Sequence, residues 1–80
     1  MTMTVEILDP DDPKSSQVEI FINKDDLEIL INDLECIRLG RMDHLHFMSP
    51  DWGGDRLGTT PRRPTSQIAH HLRIDLVSEE

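Results

Sequence analysis

The sequence holds a single cysteine, Cys36. An intramolecular disulfide is therefore excluded, and so is a cysteine-built zinc site within one chain. No motif supports Cys36 as a nucleophile, and it reads as a reduced thiol. Long apolar runs are missing as well. The longest are three residues, such as Ile29 to Ile31, against the roughly 20 that a membrane-spanning helix needs. Residues 1–6 lack a basic segment followed by an apolar one, so no secretory signal is expected. A cytoplasmic protein that avoids membranes is the expectation.

Bases are scarce. Eight Lys and Arg face 16 Asp and Glu, for a net charge of −8. The imbalance sits in the first half, where residues 1–40 carry ten acids and three bases. Such a surface repels phosphate backbones, so nucleic-acid binding is not expected. It attracts a basic partner and speeds the encounter. Solubility alone accounts for the same charge.

Motifs of catalysis are also missing. No Ser sits in a Gly-x-Ser-x-Gly turn, and no Cys–His arrangement is legible. Gly53-Gly54-Asp55 lacks the Lys-containing pattern of a phosphate loop. Asp11-Asp12 and Asp25-Asp26 fall in a loop and in a helix's first turn, where acids are expected without catalysis. The chain is therefore read as no enzyme, with no cofactor.

With 80 residues there is room for one domain, 1–80, and a thin core. Residues 3–8 alternate apolar and polar as a strand, and so do residues 17–22. The turn-rich 9–16 between them predicts an antiparallel hairpin. Asn23 is a helix cap, with Asp26 at the third helical position. Leu27, Leu30, Ile31, Leu34 and Ile37 form one apolar stripe, and Gly40 ends the helix. Residues 43–48 predict a third strand and 56–60 a short fourth. Residues 67–77 predict a long last one, although the stretch Ser66 to His71 could instead be a helical turn. The expected fold is α+β, in the order β-β-α-β-β-β. One helix packs on one face of a four- to five-stranded, mainly antiparallel sheet.

That helix-facing side should carry Val5, Ile7, Val18, Ile20, Ile22, Leu45, Phe47, Leu72, Ile74 and Leu76. The other side then carries Glu6, Leu8, Glu19, Phe21, His44, His46, Met48, His71, Arg73 and Asp75. Polar residues mixed with Phe21, Met48 and Leu8 suit a binding surface or a homodimer interface as well as an ordinary solvated face. On the helix, Ile29 and Cys36 lie opposite the stripe among Asp25, Glu28, Asn32, Asp33 and Glu35, a small apolar centre framed by acids that suits a basic protein partner. Partial cover by a loop explains it equally well. His44 and His46 share one side of a strand, with His71 near. Asp43 or Asp75 could complete a metal site there, although such pairs also arise on plain exposed strands, and no metal is assigned. Trp52, the only tryptophan, follows Asp51 in a loop of small and polar residues. It either caps the sheet edge or meets a partner.

The segment Asp43-His44-Leu45-His46-Phe47-Met48-Ser49-Pro50-Asp51-Trp52-Gly53-Gly54-Asp55-Arg56-Leu57 resembles the "His-x-His, then Trp-Gly-Gly, then Leu" stretch of small bacterial polymorphic-toxin immunity proteins, type thirty-two. A strand-helix unit, Val18 to Leu39, precedes it and a strand around His70–Ile74 follows, so the likeness covers about residues 18–77. The hairpin strand at 3–8 and the Pro-Arg-Arg-Pro connection lie outside it. The resemblance implies a stoichiometric inhibitor that blocks a co-produced toxin in the cytoplasm. The partner-binding residues expected are Trp52, Asp51, His44, His46, Asp25, Glu28, Ile29 and Asp33. The alternatives are a homo-oligomeric domain pairing through the exposed sheet face, or a small metal-binding protein using His44, His46 and His71.

Overall fold

The computed structural model describes residues 3–78. Its elements are β1 (Thr4–Leu8), β2 (Gln17–Phe21), α1 (Lys24–Arg38), β3 (His44–Met48), a single 3-10 turn (Pro50–Trp52), β4 (Gln67–Ile68) and β5 (His71–Asp75). The fold is α+β with one helix, as the periodicity predicts. β1 and β2 form the expected antiparallel hairpin, pairing Val5 with Ile20 and Glu6 with Glu19. In the connection, Asp12 accepts from the Lys14 N–H and the Ser15 hydroxyl. These bonds close a local turn that alternating strands cannot supply.

The expected single sheet is replaced by two. One has the order β2-β1-β4, and the other pairs β3 with β5. The cause is a break in the last strand. β4 pairs antiparallel with β1 and β5 antiparallel with β3, so the chain changes partner across Ala69 and His70. The residues on either side keep period two, which is why the sequence reads as one strand. The short strand expected at 56–60 does not form. There the Arg56 and Leu57 N–H groups donate to the Met48 carbonyl, and the Gly58 N–H donates to the Met3 carbonyl at 2.7 Å. Irregular backbone thereby satisfies its donors while it drives Leu57 into the core.

The helix ends are built as the caps predict. Asn23 Oδ1 accepts from the Asp26 N–H at 2.8 Å. Gly40, at φ +79°, lets the Arg41 N–H return to the Cys36 carbonyl and the Gly40 N–H to the Ile37 carbonyl. That pair of bonds is a Schellman stop, and it needs the left-handed residue glycine accepts without strain.

The core is small: Met3, Val5, Ile37, Leu45, Phe47 and Leu57, with Ile22, Leu30, Ala69, Leu72 and Ile74 packed around it. Only part of the predicted stripe enters it. Leu30 and Ile37 face inward, whereas Leu27, Ile31 and Leu34 stay 40–44% exposed. The inward face of the helix is Asp26, Leu30, Asp33, Cys36 and Ile37, a row at helical spacing turned away from the stripe's centre. Val18, Ile20 and Leu76 are likewise exposed rather than covered. A thin core has too little opposing surface to hide so wide an apolar arc.

The opposite face of the first sheet is not simply solvated. Glu6 is fully buried, because the connection over 60–66 folds across it. The Arg62 and Arg63 N–H groups and the Ser66 and Thr4 hydroxyls all donate to its carboxylate. Arg63 also reaches Glu19, the cross-strand neighbour of Glu6, with Nε and Nη2 at 2.7 and 2.9 Å. Burial opposes ionisation of Glu6, but these donors outweigh it and hold its pKa at about 2.

Candidate functional site

The site is built on the second sheet. In β3 the alternation of side chains points Leu45 and Phe47 into the core and turns His44 and His46 to the opposite face. β5 pairs with it in the register His46↔Arg73 and Met48↔His71. His71 and Arg73 therefore join the two histidines on the face away from the helix.

The loop after β3 adds Trp52. Ser49, fully buried, anchors this loop. Its N–H donates to the His70 carbonyl, its carbonyl accepts from the Trp52 and Gly54 N–H groups, and its Oγ lies 2.8 Å from His70 Nδ1. Gly53 turns the chain at φ +84°. Gly54 sits so close to the Met48 backbone that a Cβ there would fall 2.5 Å from the Met48 oxygen. The Trp-Gly-Gly stretch is thus a tight, fully bonded turn, closed by buried Leu57. It leaves Trp52 58% exposed.

The result is a row of rings. Trp52 lies 5.1 Å from His71 between ring centroids, His71 stacks on His46 at 5.1 Å and 14°, and His44 meets His46 edge-on at 4.9 Å. His46 Nδ1 and His71 Nε2 are 2.9 Å apart, and Arg73 Nη1 is 3.4 Å from His46 Nε2. Arginine can only donate, so Nε2 of His46 is the bare nitrogen. The proton of neutral His46 then sits on Nδ1 and is donated to His71. Partial desolvation, with Arg73 and the neighbouring imidazoles, moves the His46 pKa below its ordinary value.

Acids frame it. Asp75 accepts from Arg73 Nε, and Asp43 accepts from His44 Nδ1 at 2.8 Å. That contact with His44 lowers the Asp43 pKa. Asp51 Oδ2 stands 3.5 Å from His70 Nδ1. Ser49, His70 and Asp51 are not a catalytic triad: serine and aspartate meet the same ring nitrogen, and Ser49 is sealed from solvent. Among the described residues, no group of three or more His, Cys, Asp or Glu stands where it could hold a metal ion.

Of the residues expected at a partner site, the fold collects Trp52, His44 and His46 on one surface, with Asp51 in the same turn. Asp25, Glu28, Ile29 and Asp33 are not part of it. They belong to α1, which packs on the Leu45–Phe47 side of β3. Asp33 is half-buried and accepts from Arg56 at 3.1 Å, while Arg56 also lies over the Phe47 ring. Asp33 is thus a tether between helix and loop. His71 and Arg73 complete the row. Their place was legible in the period-two pattern of 67–77, but the register that sets them beside His46 was not. Compared with known proteins, the chain matches no family model, no curated protein and no solved structure.

Proposed function

We propose that this chain is a protein-binding domain of the immunity type, which neutralises a basic partner in the cytoplasm by stoichiometric binding. The observation that carries this reading is the row Trp52–His71–His46 on the sheet face away from the helix, with Trp52 and His46 exposed and His71 half-buried between them. A tryptophan that is held by a rigid turn, yet left in solvent, supplies contact area at low entropic cost. The imidazoles extend that surface, and Asp43, Asp51 and Asp75 at its margin favour positive charge opposite. The His-x-His/Trp-Gly-Gly resemblance supports the same use of the same residues.

The test is a pull-down from the native host at low and then moderate salt, followed by calorimetry with the recovered protein. A basic partner is expected, bound one to one. Trp52→Ala and His71→Ala should each weaken binding at least tenfold while the melting temperature holds. Full binding by both variants, or no partner under either salt condition, would remove this reading.

A further inference from the structure

We propose that His46 and His71 form a one-proton switch: mild acidification puts a single shared proton on the pair, drives Arg73 off it and releases a basic partner. This switch rests on the binding role given to the Trp52 row and adds its regulation. The hydrogens of the row can be counted. Arg73 Nη1 faces His46 Nε2, and His46 Nδ1 faces His71 Nε2 at 2.9 Å. Each contact has room for one hydrogen. Arginine supplies the first and a neutral His46 the second, so a neutral His71 keeps its own proton on Nδ1. Both rings then hold the Nδ1–H tautomer, the less common one for a free histidine.

An added proton finds no vacant place in that arrangement. On His71 Nε2 it meets the His46 N–H head-on, which breaks the bond between the rings. On His46 Nε2 it leaves that bond in place and makes it charge-assisted. It then sets two cations against each other at the longer contact, 3.4 Å from Arg73. Arg73 is the side that yields, because its Nε already donates to both oxygens of Asp75. The other charged groups around the pair are held elsewhere. His44 meets His46 edge-on but is bonded to Asp43, so a proton on His44 is compensated in place. On the turn side, Asp51 stands 3.5 Å from His70. The lowered pKa of His46, from desolvation first and then from Arg73, agrees with a ring that resists the extra charge. Once charged, the pair sets an imidazolium beside Trp52 on the surface that meets a basic partner, and the like charges repel.

Trp52 is the only tryptophan and the chain has no tyrosine, so intrinsic fluorescence reads the ring next to His71. An imidazolium in contact quenches indole emission more than a neutral imidazole does. The test titrates the full chain from about pH 8 to about pH 5. Nitrogen-15 NMR should find His46 and His71 with their protons on Nδ1 at the upper end. The two rings should titrate together, and Trp52 emission should fall over the same range. Arg73→Gln should move that midpoint upward. Affinity for the recovered basic partner should fall about tenfold from about pH 7.5 to about pH 5.5. In His71→Gln, with its fold verified by circular dichroism, the emission step should vanish and the affinity ratio should shrink to about twofold. An Nε2–H tautomer on either ring of the wild type, or emission flat across the range, overturns the switch without recourse to a variant. A partner held equally at both pH values overturns it and leaves the binding role intact. Recovery of no partner removes the binding role itself, and the release with it.

Discussion

Ser66 Oγ donates to Glu6 Oε1 across 2.7 Å, tying together residues sixty positions apart in the chain. Glu6 is the hub of that end of the molecule. Its carboxylate collects the Thr4 and Ser66 hydroxyls and two backbone N–H groups of the Pro-Arg-Arg-Pro connection. A residue expected on the sheet face away from the helix instead fastens a loop. Removing the carboxylate strands buried donors, which costs more than the net worth of the bonds themselves. Glu6→Ala is expected to destabilise the fold by about 3 kcal/mol or more. Glu19→Gln, at a partly exposed ion pair, should cost less than about 1 kcal/mol. Urea denaturation of the two variants against the wild type makes the comparison.

The same group sets the acid limit. Its folded pKa of about 2 lies below the ordinary 4.5. The unfolded chain therefore binds the proton first, and stability falls as pH drops. The contribution of Glu6 is full above pH 4.5 and is lost as pH falls towards 2. Acid titrations followed by circular dichroism should show Glu6→Gln already weakened at neutral pH. That variant should also have a shallower loss of stability over this window. Parallel wild-type and variant curves would contradict the assignment.

His46 is expected to titrate below 6.5, its ordinary value. Arg73 is one of the groups responsible, after desolvation, so Arg73→Gln should raise the His46 midpoint in an NMR titration. The sign for stability follows: the unfolded chain takes the proton first, so the His46 contribution is full above about 6.5 and is lost as pH falls from there through the lowered folded value. A midpoint unmoved by Arg73→Gln would mean that the Arg73–His46 contact is not made in solution.

Gly54→Ala should destabilise the protein by about 2 kcal/mol, because the added Cβ meets the Met48 backbone, which cannot easily give way. Gly40→Ala meets no atom and bears only the cost of its positive φ, about 1 kcal/mol. Thermal melts should rank the two in that order. Equal losses would mean that the Trp-Gly-Gly turn is looser than its geometry.

Trp52→Ala should change stability by less than about 1 kcal/mol, since the ring is 58% exposed. A larger loss in urea denaturation would mark Trp52 as a structural cap rather than a contact surface.

Sequence alone determined the local features. Asn23 and Gly40 bound the helix because capping is a matter of a few neighbouring backbone groups. The hairpin and β3 followed from period-two alternation with turn residues between. His44 and His46 on one side of β3 followed from the same pleat. Those patterns are short-range, so composition and spacing express them directly. Only the tertiary structure decided which apolar face was covered. The stripe of α1 was visible, but its rotation, which buries Leu30 and Ile37 and leaves Leu27, Ile31 and Leu34 outside, depends on the Asp33–Arg56 tether and on the narrow sheet beneath. The split of one sheet into two depended on the chain changing partner between β4 and β5. The burial of Glu6 depended on a loop sixty residues away. The convergence of Trp52, His71 and His46 depended on strand register. Each is a long-range pairing, chosen by competition among surfaces that a linear pattern does not encode.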